Sequence, residues 1–206
     1  MKRTFAVSDL FYRLTHTIKR NRFSVLLYIA ICLVFLVVGI AVGVNVTNKT
    51  DFVLRNNASI FRFLRGDIGI VTYFFLDLLM TCIYALFAAS MFFYKALTFL
   101  SIMPCAYRSY ILGMNVSIII VVFSVSSIPM LFVLYVPICI IEIIVLCMLS
   151  FGCFRFYAMN GSCMPSKADI KFYYKNVLSV IIFLAVCTLV KAAMLALFGS
   201  ALIGII

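Results

Sequence analysis

Long apolar stretches separated by short polar segments run along most of this chain, and they predict membrane-spanning helices. A transmembrane helix needs about 20 consecutive apolar residues. Stretches near this length occupy residues 23–44, 69–94, 111–134, 137–154 and 176–198. The third and fourth belong to one apolar run that is too long for a single crossing, so Pro137 marks the predicted turn between them. The pattern therefore predicts an all-α bundle of about five transmembrane helices.

The segments between these spans are polar or too short to cross a membrane. Residues 1–22 are basic and amphipathic, which predicts either a helix on the cytoplasmic membrane surface or a frayed tail. Residues 45–68 form a polar loop in which we expect a short surface helix. Residues 97–104 are apolar but short, so they either extend the second helix or lie at the interface. Pro129 is expected to kink the third helix.

Composition excludes a water-soluble fold. Hydrophobic residues make up 67% of the 206 residues and charged residues 11%, with a mean hydropathy of +1.24. Soluble domains carry roughly 45–50% apolar and about 25% charged residues. We therefore expect residues 23–206 to form one multi-pass domain in the lipid bilayer, with the cell membrane as its location.

The basic residues predict the orientation of the chain. The formal net charge is +11, and most Lys and Arg residues lie between the apolar stretches. With the N-terminus inside, twelve of them fall on the inner side and four on the outer side, Arg108 being counted in the inner loop 95–110. Cytoplasmic loops are enriched in Lys and Arg, so this split predicts an inner N-terminus and an outer C-terminus. Membrane topology therefore explains the excess of basic residues, and we expect no nucleic acid as a partner.

The sequence offers little for catalysis or for binding a metal. The only histidine is His16, in the amphipathic N-terminal segment, and the eight cysteines form no C-x-x-C pair. A metal site or an activated nucleophile needs clustered ligands or a neighbouring base. We therefore expect no catalytic residues, no metal and no cofactor, and a protein that is not an enzyme.

Three ionisable residues interrupt the predicted spans: Asp77, Glu142 and Lys191. With a rise of about 1.5 Å per residue, all three fall in the outer half of the bilayer. A charge inside the membrane normally faces protein and has a partner. We expect Lys191 to pair with Glu142 or Asp77 in an intramembrane polar cluster. Such a cluster is either an ion or proton site, or a structural ion pair beside a neutral carboxylic acid.

Two glycines predict a close contact between helices. Gly39 and Gly43 form a G-x-x-x-G step in the first span. Small residues at this spacing let two helix backbones approach each other. The contact lies either within the chain or between two copies in a homo-oligomer.

The start of the fourth span resembles a known family. The stretch Pro137-Ile-Cys-Ile-Ile-Glu142 is similar to the Pro-His-Gly-Ile-x-Glu segment of the stage II sporulation protein M family of membrane proteins. Pro137 and Glu142 match that motif, whereas Ile138 and Cys139 replace its histidine and glycine. The resemblance implies a non-enzymatic membrane component that works with peptidoglycan-remodelling proteins, as the sporulation member does in engulfment.

These features favour a membrane scaffold that gathers other membrane proteins or cell-wall-remodelling proteins. The face of Gly39 and Gly43 and the loop 45–68 are the expected contact surfaces. The alternative is a small transporter or permease subunit, in which Asp77 and Glu142 line a polar site.

Overall fold

The computed structural model describes residues 22–47, 59–64, 66–93, 95–123, 135–160 and 166–203. Within these ranges every element is a helix, and five helices are long and apolar enough to cross a membrane. The predicted all-α bundle with five spans is thereby confirmed, while the orientation of the termini stays a prediction. The predicted kink at Pro129 and all of the amphipathic segment 1–22 except Arg22 lie outside the described residues.

Six α-helices make up the described part of the chain. They are α1 (Arg22–Thr47), α2 (Ser59–Leu64), α3 (Ile70–Ser90), α4 (Met103–Phe123), α5 (Val136–Asn160) and α6 (Lys167–Ile203). Two 3₁₀ segments, Met91–Phe93 and Lys95–Ile102, connect α3 to α4. The spans are α1 and α3 to α6, because α2 is only six residues long.

The third span begins earlier than the hydropathy pattern predicted. Helix α4 starts at Met103 rather than at residue 111, and the membrane-length stretch is Thr98–Val121. Residues 97–104 therefore neither extend the second helix nor lie alone at the interface. Thr98, Ser101 and Pro104 are buried in the bundle, and the Ser150 hydroxyl donates a hydrogen bond to the Ser101 carbonyl over 2.6 Å. The expected break at Arg108 was wrong, since that residue lies inside α4.

Helix α6 also begins earlier than predicted, at Lys167 rather than at residue 176. Its start is fixed by a reciprocal cap. The Asp169 amide donates to the Ser166 hydroxyl over 3.3 Å, and the Ser166 amide donates to the Asp169 carboxylate over 3.0 Å. This arrangement satisfies amides that a helix N-terminus otherwise leaves unpaired. With 37 residues, α6 is about 56 Å long, so it exceeds the roughly 30 Å hydrocarbon layer.

Helix α2 is the short helix expected within the loop 45–68, and its apolar side is buried. Ile60 is almost inaccessible, and the Phe63 ring lies 5.5 Å from the ring of Tyr73 on α3. Gly66 follows the end of the helix, and its φ of +79° suits glycine. The amides of Gly66 and Asp67 donate to the carbonyls of Phe63 and Arg62, which is a Schellman ending.

Glycines set the contact between α1 and α4. A methyl group at Gly39 would overlap the backbone carbonyl of Tyr110, and one at Gly113 would overlap that of Leu36. At Gly43 an added methyl group would meet the Ser117 hydroxyl. Gly39 and Gly43 thus pack helices within the chain, in keeping with the small-residue rule. The expectation that this face contacts other proteins was wrong, because α4 covers it.

Two apolar clusters fill the bundle, one above the other. The first cluster lies where α3 begins and contains Ile60, Tyr73, Leu112, Ile118, Ile119, Tyr135, Cys139, Ile143, Ala192 and Leu195. The second cluster lies where α3 ends and contains Ala85, Ala88, Ala89, Phe92, Cys105, Leu146, Leu149, Cys153, Tyr173, Val177 and Leu184. Each cluster draws on α3, α4, α5 and α6, so these four helices form the core.

Candidate functional site: a buried ring of four charges

Four charged side chains meet in the core, one from each of the four central helices. They are Asp77 of α3, Arg108 of α4, Glu142 of α5 and Lys191 of α6. We call this group the charge ring. No member has more than 9% of its side chain exposed, and Glu142 has none.

In the charge ring each cation contacts both carboxylates. Arg108 donates through Nη2 to Asp77 Oδ1 over 3.2 Å and to Glu142 Oε2 over 2.6 Å. Lys191 donates through Nζ to Glu142 Oε1 over 2.9 Å and forms an ion pair with Asp77 Oδ2. Positive and negative groups therefore alternate around a closed circuit.

The formal charges of the ring cancel. Two carboxylates face one guanidinium and one ammonium group, so the buried group has no net charge. A single charge in a membrane span costs at least about 2.5–3.5 kcal/mol on insertion scales. Buried ions are tolerated when they are paired and hydrogen-bonded, and removing one partner leaves an uncompensated charge. The ring therefore makes the positions of four helices depend on one another.

Apolar side chains close the charge ring on both sides along the membrane normal. On α4, Leu112 of the first cluster and Cys105 of the second cluster flank Arg108 within about one turn. On α5, Cys139 of the first cluster and Leu146 of the second cluster flank Glu142 in the same way. The ring thus lies in the layer where the two clusters meet.

The structure brings together all three of the charged residues that the sequence singled out. Asp77, Glu142 and Lys191 belong to the ring, and Lys191 contacts both acids rather than one of them. Sequence reasoning missed Arg108, which it assigned to an inner loop. The expected neutral carboxylic acid is not needed, since Arg108 supplies the second cation. Pro104 was the available signal, because proline is favoured in the first turn of a helix and predicts a helical Arg108.

A second buried polar contact joins α4 to Tyr135, the residue of the first cluster that directly precedes α5. The Asn115 amide nitrogen donates to the Tyr135 hydroxyl over 3.1 Å. The Asn115 side-chain oxygen is buried and has no hydrogen-bond partner within the described ranges. This pair joins α4 to the start of α5, and Arg108 and Glu142 join the same two helices further along, so polar contacts recur between α4 and α5.

The remaining sequence-predicted residues do not form a second site. Pro137 lies exposed in the first turn of α5, apart from its motif partner Glu142, which is buried in the charge ring. His16 lies outside the described residues. Among the residues that the structure describes, no three His, Cys, Asp or Glu side chains are grouped so as to hold a metal ion.

The arrangement is suited to holding helices together. Every carboxylate oxygen of the charge ring contacts a cation of the same chain, so the ring is complete without a ligand. No family model, no curated protein and no solved structure matches this chain. The resemblance of residues 137–142 to the stage II sporulation protein M family therefore stays a prediction.

Proposed function

We propose that this integral membrane protein is a non-enzymatic scaffold that gathers other membrane or cell-wall-remodelling proteins. The observation that supports this proposal best is the completeness of the charge ring. Its four charges are satisfied inside one chain and are enclosed by the two apolar clusters. Such a ring fixes a rigid bundle, and a rigid bundle is what a platform for other proteins requires.

The alternative is a small transporter or permease subunit with a polar site at Asp77 and Glu142. Ionisable residues inside membrane spans often mark ion or proton pathways, which favours this alternative. A transported cation, however, would have to displace Lys191 or Arg108 from carboxylates that already contact both of them. The internal pairing therefore favours the scaffold.

The partner surface that we propose is the segment containing α2. The glycine face of α1 is occupied by α4, so it is not available to another protein. In contrast, Gly66 and Asp67 are exposed beside α2, whose apolar side is anchored on Tyr73. Under the predicted orientation this segment faces outward, where cell-wall-remodelling proteins act. Their identity as partners rests on the family resemblance.

Photo-crosslinking in cells tests this proposal. A photoreactive residue replaces Asp67, and a matched control replaces Phe75, which is exposed on the apolar surface of α3. We expect the Asp67 site to capture a cell-wall hydrolase or its membrane partner, and the Phe75 site to capture lipid. Capture of lipid alone at both sites would contradict the scaffold.

A second experiment separates the scaffold from the transporter. The double substitution Glu142→Gln with Lys191→Met removes one anion and one cation and keeps the net charge of the site at zero. A scaffold that still folds should retain capture at Asp67, whereas a transporter would lose flux in vesicles. Loss of a measured ion or solute flux by a folded double variant would support the transporter instead.

A further inference from the structure

We propose that the start of α6 binds the head groups of anionic phospholipids through Lys167, Lys171 and Lys175. This interaction is independent of the scaffold function. All three lysines are exposed, and they follow one another at intervals of four residues. Residues three or four apart lie on the same face of a helix, so the ammonium groups form one stripe. We call it the lysine stripe.

The lysine stripe continues directly into a lipid-facing apolar stripe. Further along the same face of α6 come four apolar residues, each more than half exposed: Leu178, Ile182, Val186 and Leu189. Exposed aliphatic side chains on a membrane helix face acyl chains. The change from lysine to leucine between Lys175 and Leu178 therefore places the boundary of the hydrocarbon layer at this point of the helix.

The lysine stripe faces the lipid rather than the core of the bundle. Tyr173 and Val177 mark the buried face of this part of α6, and both belong to the second cluster. Lys171 and Lys175 lie on a different face, beside the exposed ring of Tyr174. Tyrosine is enriched at the membrane–water interface, where its ring and hydroxyl meet different surroundings. The ammonium groups are thus held at the depth of the phosphates.

The length and start of α6 support the same placement. The helix is longer than the hydrocarbon layer is thick, so its first turns must extend into the head-group region. The cap formed by Ser166 and Asp169 keeps these turns helical and so keeps the lysines in register. Each basic residue near an anionic membrane surface adds attraction that decays within a Debye length. Three lysines on one face therefore give a local preference for anionic lipid. This effect adds to that of the other basic residues, whose distribution sets the orientation of the chain.

Contact quenching of a single tryptophan measures this preference. The chain contains no tryptophan, so Leu178→Trp places one reporter just below the lysine stripe. Phe75→Trp places a matched control at an exposed site on α3. Each variant is reconstituted in phosphatidylcholine vesicles that contain either brominated phosphatidylglycerol or brominated phosphatidylcholine. At residue 178 we expect brominated phosphatidylglycerol to quench the tryptophan about threefold or more as strongly as brominated phosphatidylcholine does. At residue 75 we expect the two lipids to quench equally.

Charge variants test whether the lysines cause the preference. Replacing all three lysines by glutamine should bring the ratio of quenching by the two lipids at residue 178 to about one. Replacing them by arginine should retain the preference for phosphatidylglycerol. High salt should weaken it in the parent protein. An unchanged preference in a correctly folded glutamine variant, or an equal preference at residue 75, would overturn the proposal. Stronger competition by inorganic phosphate than by sodium chloride at equal ionic strength would also overturn it, because that result would assign the stripe to a free anion.

Discussion

Arg108 and Lys191 share both of their carboxylate partners, although they lie on different helices. Arg108 contacts Asp77 and Glu142, and Lys191 contacts the same two acids from α6. Neither cation has a carboxylate of its own within the ring. The loss of one cation therefore leaves two acids competing for the other, which makes the four helices interdependent.

A single neutralising substitution in the charge ring should destabilise the bundle strongly. Lys191→Met leaves one uncompensated negative charge in the core, and breaking a buried ion pair in this way costs about 3–5 kcal/mol. We expect a large loss of thermal stability for the detergent-purified variant. The double substitution Glu142→Gln with Lys191→Met leaves Asp77 paired with Arg108, so it should cost less than the sum of the two single changes. A double-mutant cycle measures this difference, and strict additivity would show that the ring does not act as a unit.

The contact between α1 and α4 should not tolerate an added methyl group. Gly39→Ala places a methyl group against the Tyr110 carbonyl, and overpacking of this kind costs about 1–3 kcal/mol. Gly152→Ala is the matched control, since nothing lies within 4 Å of the added carbon there. We expect a lower unfolding temperature for the first variant and an unchanged or slightly higher one for the second. Equal behaviour of the two variants would mean that α1 and α4 are not in close contact.

Cys32 and Cys147 should form a disulfide when an oxidant reaches them. Their sulfur atoms lie 3.7 Å apart, one on α1 and the other on α5. Iodine, which enters the bilayer, should accept two electrons as the two thiols lose their protons and join. Mass spectrometry of digested protein should detect the linked peptides in the parent protein and not in Cys147→Ser. Cys82, a free cysteine on α3, serves as the reference, and its peptide should stay unlinked under the same treatment.

The stack between Phe92 and Tyr173 should tie the 3₁₀ segment after α3 to the first turns of α6. The ring centroids lie 3.9 Å apart with 8° between the planes, and the Tyr173 hydroxyl is 2.8 Å from the Cys153 sulfur. Tyr173→Ala should cost about 3–5 kcal/mol, as large-to-small changes of aromatic residues in cores do. Tyr173→Phe keeps the stack and loses only the hydroxyl, so it should cost about 1 kcal/mol. Thermal unfolding of both variants separates the two contributions.

The sequence predicted the number of spans and three members of the charge ring for physical reasons. Lipid demands long apolar helices, and a regular rise per residue places Asp77, Glu142 and Lys191 at similar depth. Hydropathy could not assign Arg108 to a membrane span. An arginine beside polar neighbours is typical of a loop, and only its contacts in the folded protein show otherwise. Tertiary contacts with two distant acids decide that this residue lies inside the membrane.

Helix boundaries were harder to predict than the existence of the helices. The start of α6 depends on hydrogen bonds between Ser166 and Asp169, which an apolar pattern does not register although the S-x-x-D spacing was visible. The glycine pattern at Gly39 and Gly43 indicated close packing, but it did not reveal the partner. Only the structure shows that α4, rather than another protein, fills that face.

The order of the charges along the chain has a consequence for how the protein enters the membrane. During synthesis Asp77 is followed by Arg108, and later Glu142 is followed by Lys191. Of the four ring charges, the hairpin of α3 and α4 therefore carries one acid and one base, and so does the hairpin of α5 and α6, whose other charged residues lie towards the helix ends. Each hairpin can leave the translocon with its own ring acid beside its own ring base, so the charges buried between its two helices cancel. Completing the ring then needs only an exchange of partners between the two hairpins, and no ring charge remains unpaired in lipid until a later helix is synthesised.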